Sequence, residues 1–207
     1  MEGRRNIKKD RQIQGLRQLA RRSTDRDPDT TAELLRLRMA YKRLSRDART
    51  GLHVAGEGER ELRKLVKSAI DGKTDISVVF FDINRFKELN DTFGHDAGND
   101  ALARLGNVIS GLVRDTDIAY RYGGDEIVVG LPNASNADAA AFIRRVSKDV
   151  QAVEADLRNA YGIPEFSISA GSRSANGAEI RDVDEGMLML TKGADSEMYE
   201  NKRTARG

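Results

Sequence analysis

The residues best suited to chemistry lie in Arg121-Tyr122-Gly123-Gly124-Asp125-Glu126-Ile127. Apolar, β-prone residues lead in (Ile118, Ala119, Tyr120) and lead out (Ile127, Val128, Val129). Two such runs around Gly-Gly predict a β-hairpin, because tight primed turns need positive φ and glycine supplies it without steric cost. A hairpin has no need of two carboxylates directly after its turn, whereas a cation or polyphosphate site has. A further acid, Asp82, closes the run Ile76–Ile83, which predicts a strand buried on both faces. An unpaired buried carboxylate is costly, so Asp82 calls for a metal, a basic partner, a helix cap or a salt bridge. If the two strands are neighbours, Asp82 and Asp125 meet at the edge of one sheet. Hard oxygen ligands suit Mg²⁺, which takes one or two carboxylates and fills its shell with water and substrate phosphates. Two such ions can hold the attacking and leaving oxygens of an in-line phosphoryl displacement. Glu126 could position or deprotonate an attacking hydroxyl. Lys87, Lys202 and Arg206 are available as phosphate partners. These residues lead to Mg²⁺-dependent nucleotide chemistry and stop there.

Several elements must hold those side chains in place. Leu62, Leu65, Val66, Ala69 and Ile70 share one face of a helix predicted over Glu59–Ile70, which Gly72 ends. A short helical segment follows over Arg85–Leu89, broken around Asn90–Gly98, and a second helix over Asp100–Val113 buries Leu102, Leu105, Ile109 and Leu112. After the hairpin, which ends at Pro132, a long helix over Asn136–Tyr161 turns Ile143, Val146, Val150, Val153 and Leu157 inward. Phe166, Ile168 and Ala170 alternate with Ser167, Ser169 and Gly171 as in a strand. Helices over Glu185–Lys192 and Ala194–Lys202 close the chain. Strands and helices mix, with a hairpin inside the sheet, so the fold class is α/β (α+β) rather than a purely parallel doubly wound sheet.

Two organisational units are expected. Residues 1–46 form a basic helical extension or stalk, and residues 47–207 form the main domain, entered at the polar junction Asp47–His53. Arg4, Arg5, Lys8, Lys9 and their neighbours in residues 1–28 read as a solvated extension or as a binding arm without the aromatic interleaving of a nucleic-acid binder. After Pro28, Thr30 and Glu33 form a capping box, and Leu34, Leu37, Tyr41 and Leu44 form a short a/d seam. The seam packs on its own domain or pairs two copies. The chain of 207 residues has a formal net charge of only +2, which argues against a general electrostatic grip on nucleic acid. It has no cysteine, hence no disulfide framework and no thiolate site. No apolar run reaches the roughly 18 residues of a membrane span, and the charged N-terminus lacks a signal-peptide core; a soluble, cytoplasmic protein is expected. The phosphate-loop pattern Gly-x4-Gly-Lys-Ser/Thr and the dinucleotide Gly-x-Gly-x-x-Gly are absent. His53 and His95 are the only histidines, which argues against a histidine-rich zinc site.

Over about residues 47–207 the chain resembles the GGDEF family, the diguanylate cyclases. The resemblance rests on Gly123-Gly124-Asp125-Glu126-Ile127, with Ile127 where the family usually has Phe, and on Asp82-Ile83-Asn84-Arg85-Phe86-Lys87-Glu88-Leu89-Asn90-Asp91 followed by Gly94-His95 and Gly98. Ala194-Asp195 through Tyr199, with Lys202 to Arg206, matches the family's closing helix and basic tail. Asp47 to Leu52 resembles its opening motif, with Arg49 where Leu is usual. The resemblance implies a central mixed sheet wrapped by helices, related to class III nucleotidyl cyclases and polymerase palms. It implies a homodimer whose two domains each hold one GTP, the 3′-hydroxyl of each attacking the α-phosphate of the other to give cyclic di-GMP and pyrophosphate. Asp82, Asp125 and the Ile83 carbonyl would bind Mg²⁺ or Mn²⁺, and Glu126 would act at the 3′-hydroxyl. Lys87, Lys202 and Arg206 would hold the β- and γ-phosphates. Phe86, Gly123 and Gly124 would complete the substrate site, and Asn90 would read the base. Arg114 and Asp117 would form the family's inhibitory site for the product.

One departure bears on the base. The family has Asp where this chain has Asn99, and that Asp accepts from the guanine N1 and N2 donors. An amide oxygen also accepts, without charge assistance, and its NH₂ donates instead. Some family members altered here use ATP as well as GTP. The expectation is therefore a diguanylate cyclase, with a cyclic dinucleotide synthase of broader base range or a non-catalytic GTP- or cyclic di-GMP-binding module as alternatives.

Overall fold

The computed structural model describes residues 35–37, 39–41 and 44–204. The basic stretch 1–28, the Thr30/Glu33 capping box, Leu34 and Arg206 lie outside the described residues. The chain divides into two compact units, Met1–Asp47 and Ala48–Gly207. In the first, residues 35–37, 39–41 and 44 are helical.

The second unit is built on a five-stranded mixed sheet. Its strands are β1 (His53–Val54), β2 (Asp75–Ile83), β3 (Ile118–Gly123), β4 (Glu126–Pro132) and β5 (Ile168–Asn176), in the spatial order β1-β3-β4-β2-β5. Only β1 and β3 run parallel; the other pairs are antiparallel. The helices are α1 (Ala55–Gly72), α2 (Phe86–Phe93), α3 (His95–Leu112), α4 (Asn136–Tyr161) and α5 (Val183–Thr204). Among the described residues no helix is long and apolar enough to cross a membrane.

The continuous apolar run of β2 has the cause expected of it, because both its faces are covered. Val79, Phe81 and Ile83 pack with α3 and α4 residues such as Leu105, Phe142 and Val146. Ile76, Val78 and Phe80 pack on the other side with Leu62 and Val66 of α1 and Leu190 and Met198 of α5. Alternate side chains thus feed two cores from one strand. The ladder also settles the adjacency on which the site depends: β2 and β4 are neighbours, with Phe81 opposite Ile127.

Several expected boundaries move. The break predicted over Asn90–Gly98 shrinks to Gly94, whose φ of 87° lets one helix stop and the next start at once. α3 therefore begins at His95 rather than Asp100. The two closing helices are a single helix, α5, and Gly193 does not break it: a Cβ there would meet Arg173 Cγ at 2.8 Å, so the glycine serves packing. β5 starts at Ile168, after Phe166, and runs through the polar Ser172–Asn176, because the β2 ladder carries it as far as Asp75 opposite Asn176. Asp125 lies in the turn and β4 begins at Glu126. β1 is a two-residue strand inside what read as a loop. The buried stripe of α4 also includes Ala139 and Phe142, and Ile143 is only partly buried.

Candidate active site

The hairpin turn is closed by its own chain. Gly124 takes a φ of 49°, which glycine adopts without strain. The Arg121 guanidinium folds over the turn and donates to the Gly124 carbonyl, with Nε at 2.8 Å. Gly123 pairs with Glu126 across a bulge after Arg121, and bulges of this kind re-aim side chains at sheet ends. Asp125 and Glu126 are both half-buried.

On the neighbouring strand, Asp82 is 7% exposed at the C-terminal end of β2. Its Oδ1 accepts from the Lys202 ammonium, which reaches in from the last turn of α5. The pair is well shielded, with side-chain exposures of 9% for Asp82 and 17% for Lys202. Burial is the first reason the Asp125 carboxyl sits above its usual range, and the Asp82 charge adds to it; its own backbone N–H, Lys202 and Arg121 pull the other way. Glu126 is raised for the same leading reasons, burial and then Asp82, with further contributions from Asp125 and Asp195. Both glutamate and aspartate thus register the same neighbours. Asp82, Asp125, Glu126 and Lys202 form one electrostatic cluster at the joined ends of β2 and β4.

This cluster suits a hard divalent cation. Carboxylates destabilised by burial and by each other gain from a shared positive charge. Among the described residues no three His, Cys, Asp or Glu side chains form a ready-made cage. Mg²⁺ is commonly held by one or two carboxylates plus water and phosphate oxygens, and the donor set here could supply those carboxylates. Asp82, Asp125 and the carbonyl of the fully buried Ile83 would be its protein ligands.

The remaining predicted residues fall on α2 and the start of α3. Phe86 opens α2 and packs against the core, and Lys87 is exposed beside it. Asn90 donates from Nδ2 to the Phe86 carbonyl at 3.1 Å, which leaves its Oδ1 facing Gly98. A Cβ at Gly98 would sit 2.1 Å from that oxygen, so the glycine is what admits Asn90 against α3. Asn99, the next residue, is half-buried.

Arg114 and Asp117 lie apart from the carboxylates, at the far end of β3. Six residues of strand separate them from the turn, a span of roughly 20 Å at about 3.3 Å per residue. Arg114 donates from Nη2 to Asp117 Oδ1 at 2.9 Å, and its backbone N–H donates to Oδ2 at 2.8 Å. The Asp117 side chain is 2% exposed and that of Arg114 58% exposed, so the acid anchors an outward-facing guanidinium.

Three contributors were given no individual role by the sequence. Asp195 acts on Glu126 from α5. Glu197 and Asn201 bind backbone groups of β5: the Glu197 carboxylate accepts from the Ser172 N–H, and Asn201 Nδ2 donates to the Ala170 carbonyl at 2.9 Å. The helical spacing of 197 and 201 was legible, but not the strand they would meet.

Comparison with known proteins identifies the family and the fold. Residues 44–207 match the family model "Diguanylate cyclase, GGDEF domain". The chain is 34% identical over 160 residues to the response regulator PleD of Caulobacter vibrioides, covering 77% of this chain and 34% of that protein. It is 35% identical over 162 residues to diguanylate cyclase TpbB of Pseudomonas aeruginosa, covering 78% of this chain and 36% of that one. The chain thus spans about a third of the length of these curated relatives. Among solved structures, the coiled coil and GGDEF domain of DgcB from Caulobacter crescentus, in complex with c-di-GMP, superposes with a TM-score of 0.73 at 25% identity, covering 85% of this chain and 92% of that one. The GGDEF domain of TpbB gives a TM-score of 0.62 at 29% identity, covering 75% and 92%. With the hairpin, the neighbouring Asp82 strand and the match across residues 44–207 all in agreement, the chain belongs to the GGDEF family of diguanylate cyclases.

Proposed function

We propose that this chain is a diguanylate cyclase, a nucleotidyltransferase that condenses two GTP into cyclic di-GMP and two pyrophosphates. The observation that carries the reading is the convergence of Asp82, Asp125, Glu126 and Lys202 at the joined ends of β2 and β4. A bound Mg²⁺ or Mn²⁺ would supply charge to the α-phosphate and the leaving pyrophosphate oxygen. The Glu126 carboxylate, raised toward neutrality, accepts the proton of an attacking 3′-hydroxyl. The new bond joins O3′ to the α-phosphorus, and the bond from that phosphorus to the bridging oxygen breaks, releasing pyrophosphate. Lys202 and Lys87, with Arg206, would hold the outer phosphates. One domain carries one such cluster, and closing a ring of two nucleotides requires two, so the active form is a homodimer. We place the reaction in the cytoplasm, where GTP is available. Arg114, held outward by Asp117, would take the product as an inhibitor.

A second reading concerns the base. Asn99 has no charge, and the Nδ2 of Asn90 is engaged by the Phe86 carbonyl. The pair therefore offers amide oxygens, the Asn99 NH₂ and the remaining N–H of Asn90, a set that discriminates guanine from adenine less sharply than a carboxylate. Mass spectrometry of products from GTP, ATP and their mixture, with and without Mg²⁺, tests both readings. Cyclic di-GMP from GTP alone is expected. A mixed GMP–AMP product supports the broader range, and strict GTP use removes it. No product at high protein concentration, with nucleotide still bound, leaves the non-catalytic module as the reading; Asp125→Ala would then keep the biological effect.

A further inference from the structure

Lys202 occupies the same carboxylate that a divalent cation would need. Its ammonium is paired with Asp82 Oδ1 in a site where both side chains are largely shielded from water. Its charge also reaches Asp125 and Glu126. In such surroundings two unit charges a few ångströms apart interact far more strongly than in bulk water. An ammonium and a divalent cation on one carboxylate therefore oppose each other.

The backbone that carries Lys202 is anchored to the sheet, whereas its side chain is long and flexible. α5 lies directly on β5, since a Cβ at Gly171 would meet the Met198 backbone nitrogen at 2.1 Å. Asn201, the preceding residue, is bonded to the Ala170 carbonyl at 2.9 Å, and Glu197 holds the Ser172 N–H. The lysine side chain is a flexible four-carbon stem carrying a point charge, so a change of partner needs rotamer changes and no helix movement. Phosphate oxygens would offer the ammonium that second partner.

We infer that Lys202 is an internal counter-cation: it holds Asp82 in the nucleotide-free protein, excludes free divalent metal, and releases the carboxylate only when a nucleoside triphosphate brings phosphates for it to bind. This rests on the proposed reading of Asp82 as a metal ligand. Metal and nucleotide then enter together, and the protein alone has low metal affinity. A salt bridge that stayed on Asp82 throughout would behave differently: the Gln and Met variants would then bind a nucleoside triphosphate analogue as tightly as the wild type, and the inference would fall.

The test is Mn²⁺ binding to the full chain, read from the free-Mn²⁺ electron paramagnetic resonance signal, without nucleotide and with a GTP analogue whose α–β bridge cannot be cleaved. Lys202→Gln and Lys202→Met, each checked for folding by circular dichroism, should bind Mn²⁺ without nucleotide on the order of tenfold more tightly than the wild type, the size of effect that one close charge has on a carboxylate. Lys202→Arg keeps the charge and should stay as weak as the wild type. With the analogue, the wild type should bind Mn²⁺ tightly, and the Gln and Met variants should bind the analogue more weakly. The inference is overturned if the Gln and Met variants bind Mn²⁺ no more tightly than the wild type in the absence of nucleotide, or if Lys202→Arg behaves as they do. A wild type that binds no Mn²⁺ even with the analogue overturns the metal–nucleotide reading itself, and the inference with it.

Discussion

Gly171→Ala puts the seating of α5 to a direct test. Gly171 pairs with Phe80 in the β5–β2 ladder, and α5 crosses directly over it. An added Cβ would lie 2.1 Å from Met198 N, 2.5 Å from Ala194 O and 2.7 Å from Glu197 C. All three are backbone atoms, so no rotamer change can relieve the overlap. Ordinary contact needs roughly 3.5 Å, and the shortfall against 2.1 Å is about 1.4 Å. Either α5 lifts from the sheet or β5 is displaced. Overpacking of this kind costs about 1–3 kcal/mol, and a purely backbone collision belongs at the upper end. At about 2–4 °C per kcal/mol for a domain of this size, a cost near 3 kcal/mol lowers the melting temperature by about 6–12 °C. The same lift carries Lys202 away from Asp82, so nucleotide affinity should fall with stability. Gly111→Ala is the control, because its Cβ would enter open space in α3 and should stabilise by about 0.5–1 kcal/mol. The assay is thermal unfolding of both variants, with nucleotide binding measured well below the transition. A Gly171→Ala protein melting within about 2 °C of the wild type would refute the reasoning.

Further outcomes follow from other contacts. Glu126 and Asp125 are raised acids, so the stability they contribute is intact below the ordinary carboxylate range and is lost as pH rises through their raised values. Glu126→Gln should therefore melt higher than the wild type at pH 7 in metal-free buffer, with the gap closing below about pH 4; a pH series of melting curves decides it. Gly98→Ala meets a side-chain tip, the Asn90 amide, rather than backbone, so it should cost under about 1 kcal/mol of stability while nucleotide affinity drops several-fold; unfolding and binding measured on one sample separate the two effects. Asn201→Ala removes one hydrogen bond to β5 and should cost about 1 kcal/mol in urea unfolding. Asn99→Asp restores a charged acceptor and should raise the preference for GTP over ATP by about tenfold in competitive binding.

The parts legible in the sequence were those where one local rule decides. β2 read correctly because six of its residues, Ile76 and Val78 to Phe81 with Ile83, are apolar and fully enclosed or nearly so. α4 read to the residue from its apolar spacing, and the structure shows what fixes its ends: a Ser135 cap opens it and Gly162, at a φ of 73°, closes it. The two acids after Gly-Gly stood out because no hairpin requires them. What escaped depended on distant partners. β5 continues through Ser172–Asn176 because β2 is there to pair with, not because those residues favour a strand. Gly193 looked like a helix break, but its lack of a side chain answers to Arg173, twenty residues earlier in the chain. Asp195 gained its meaning only when α5 was laid against the hairpin side of the sheet. The Lys202–Asp82 pair joins residues 120 positions apart, and no spacing rule reaches that far.

The two ends of the sheet carry a consequence for behaviour in concentrated solution. An exposed strand edge is a template on which another chain can add a strand, the first step toward aggregation. Here one edge is β1, only two residues long. The other is β5, a nine-residue strand and a far better template. On it, the Ser172 N–H and the Ala170 carbonyl are already taken by Glu197 and Asn201. These two side chains thus withdraw the middle of the long edge from pairing with a second molecule, as well as anchoring the helix that carries Lys202.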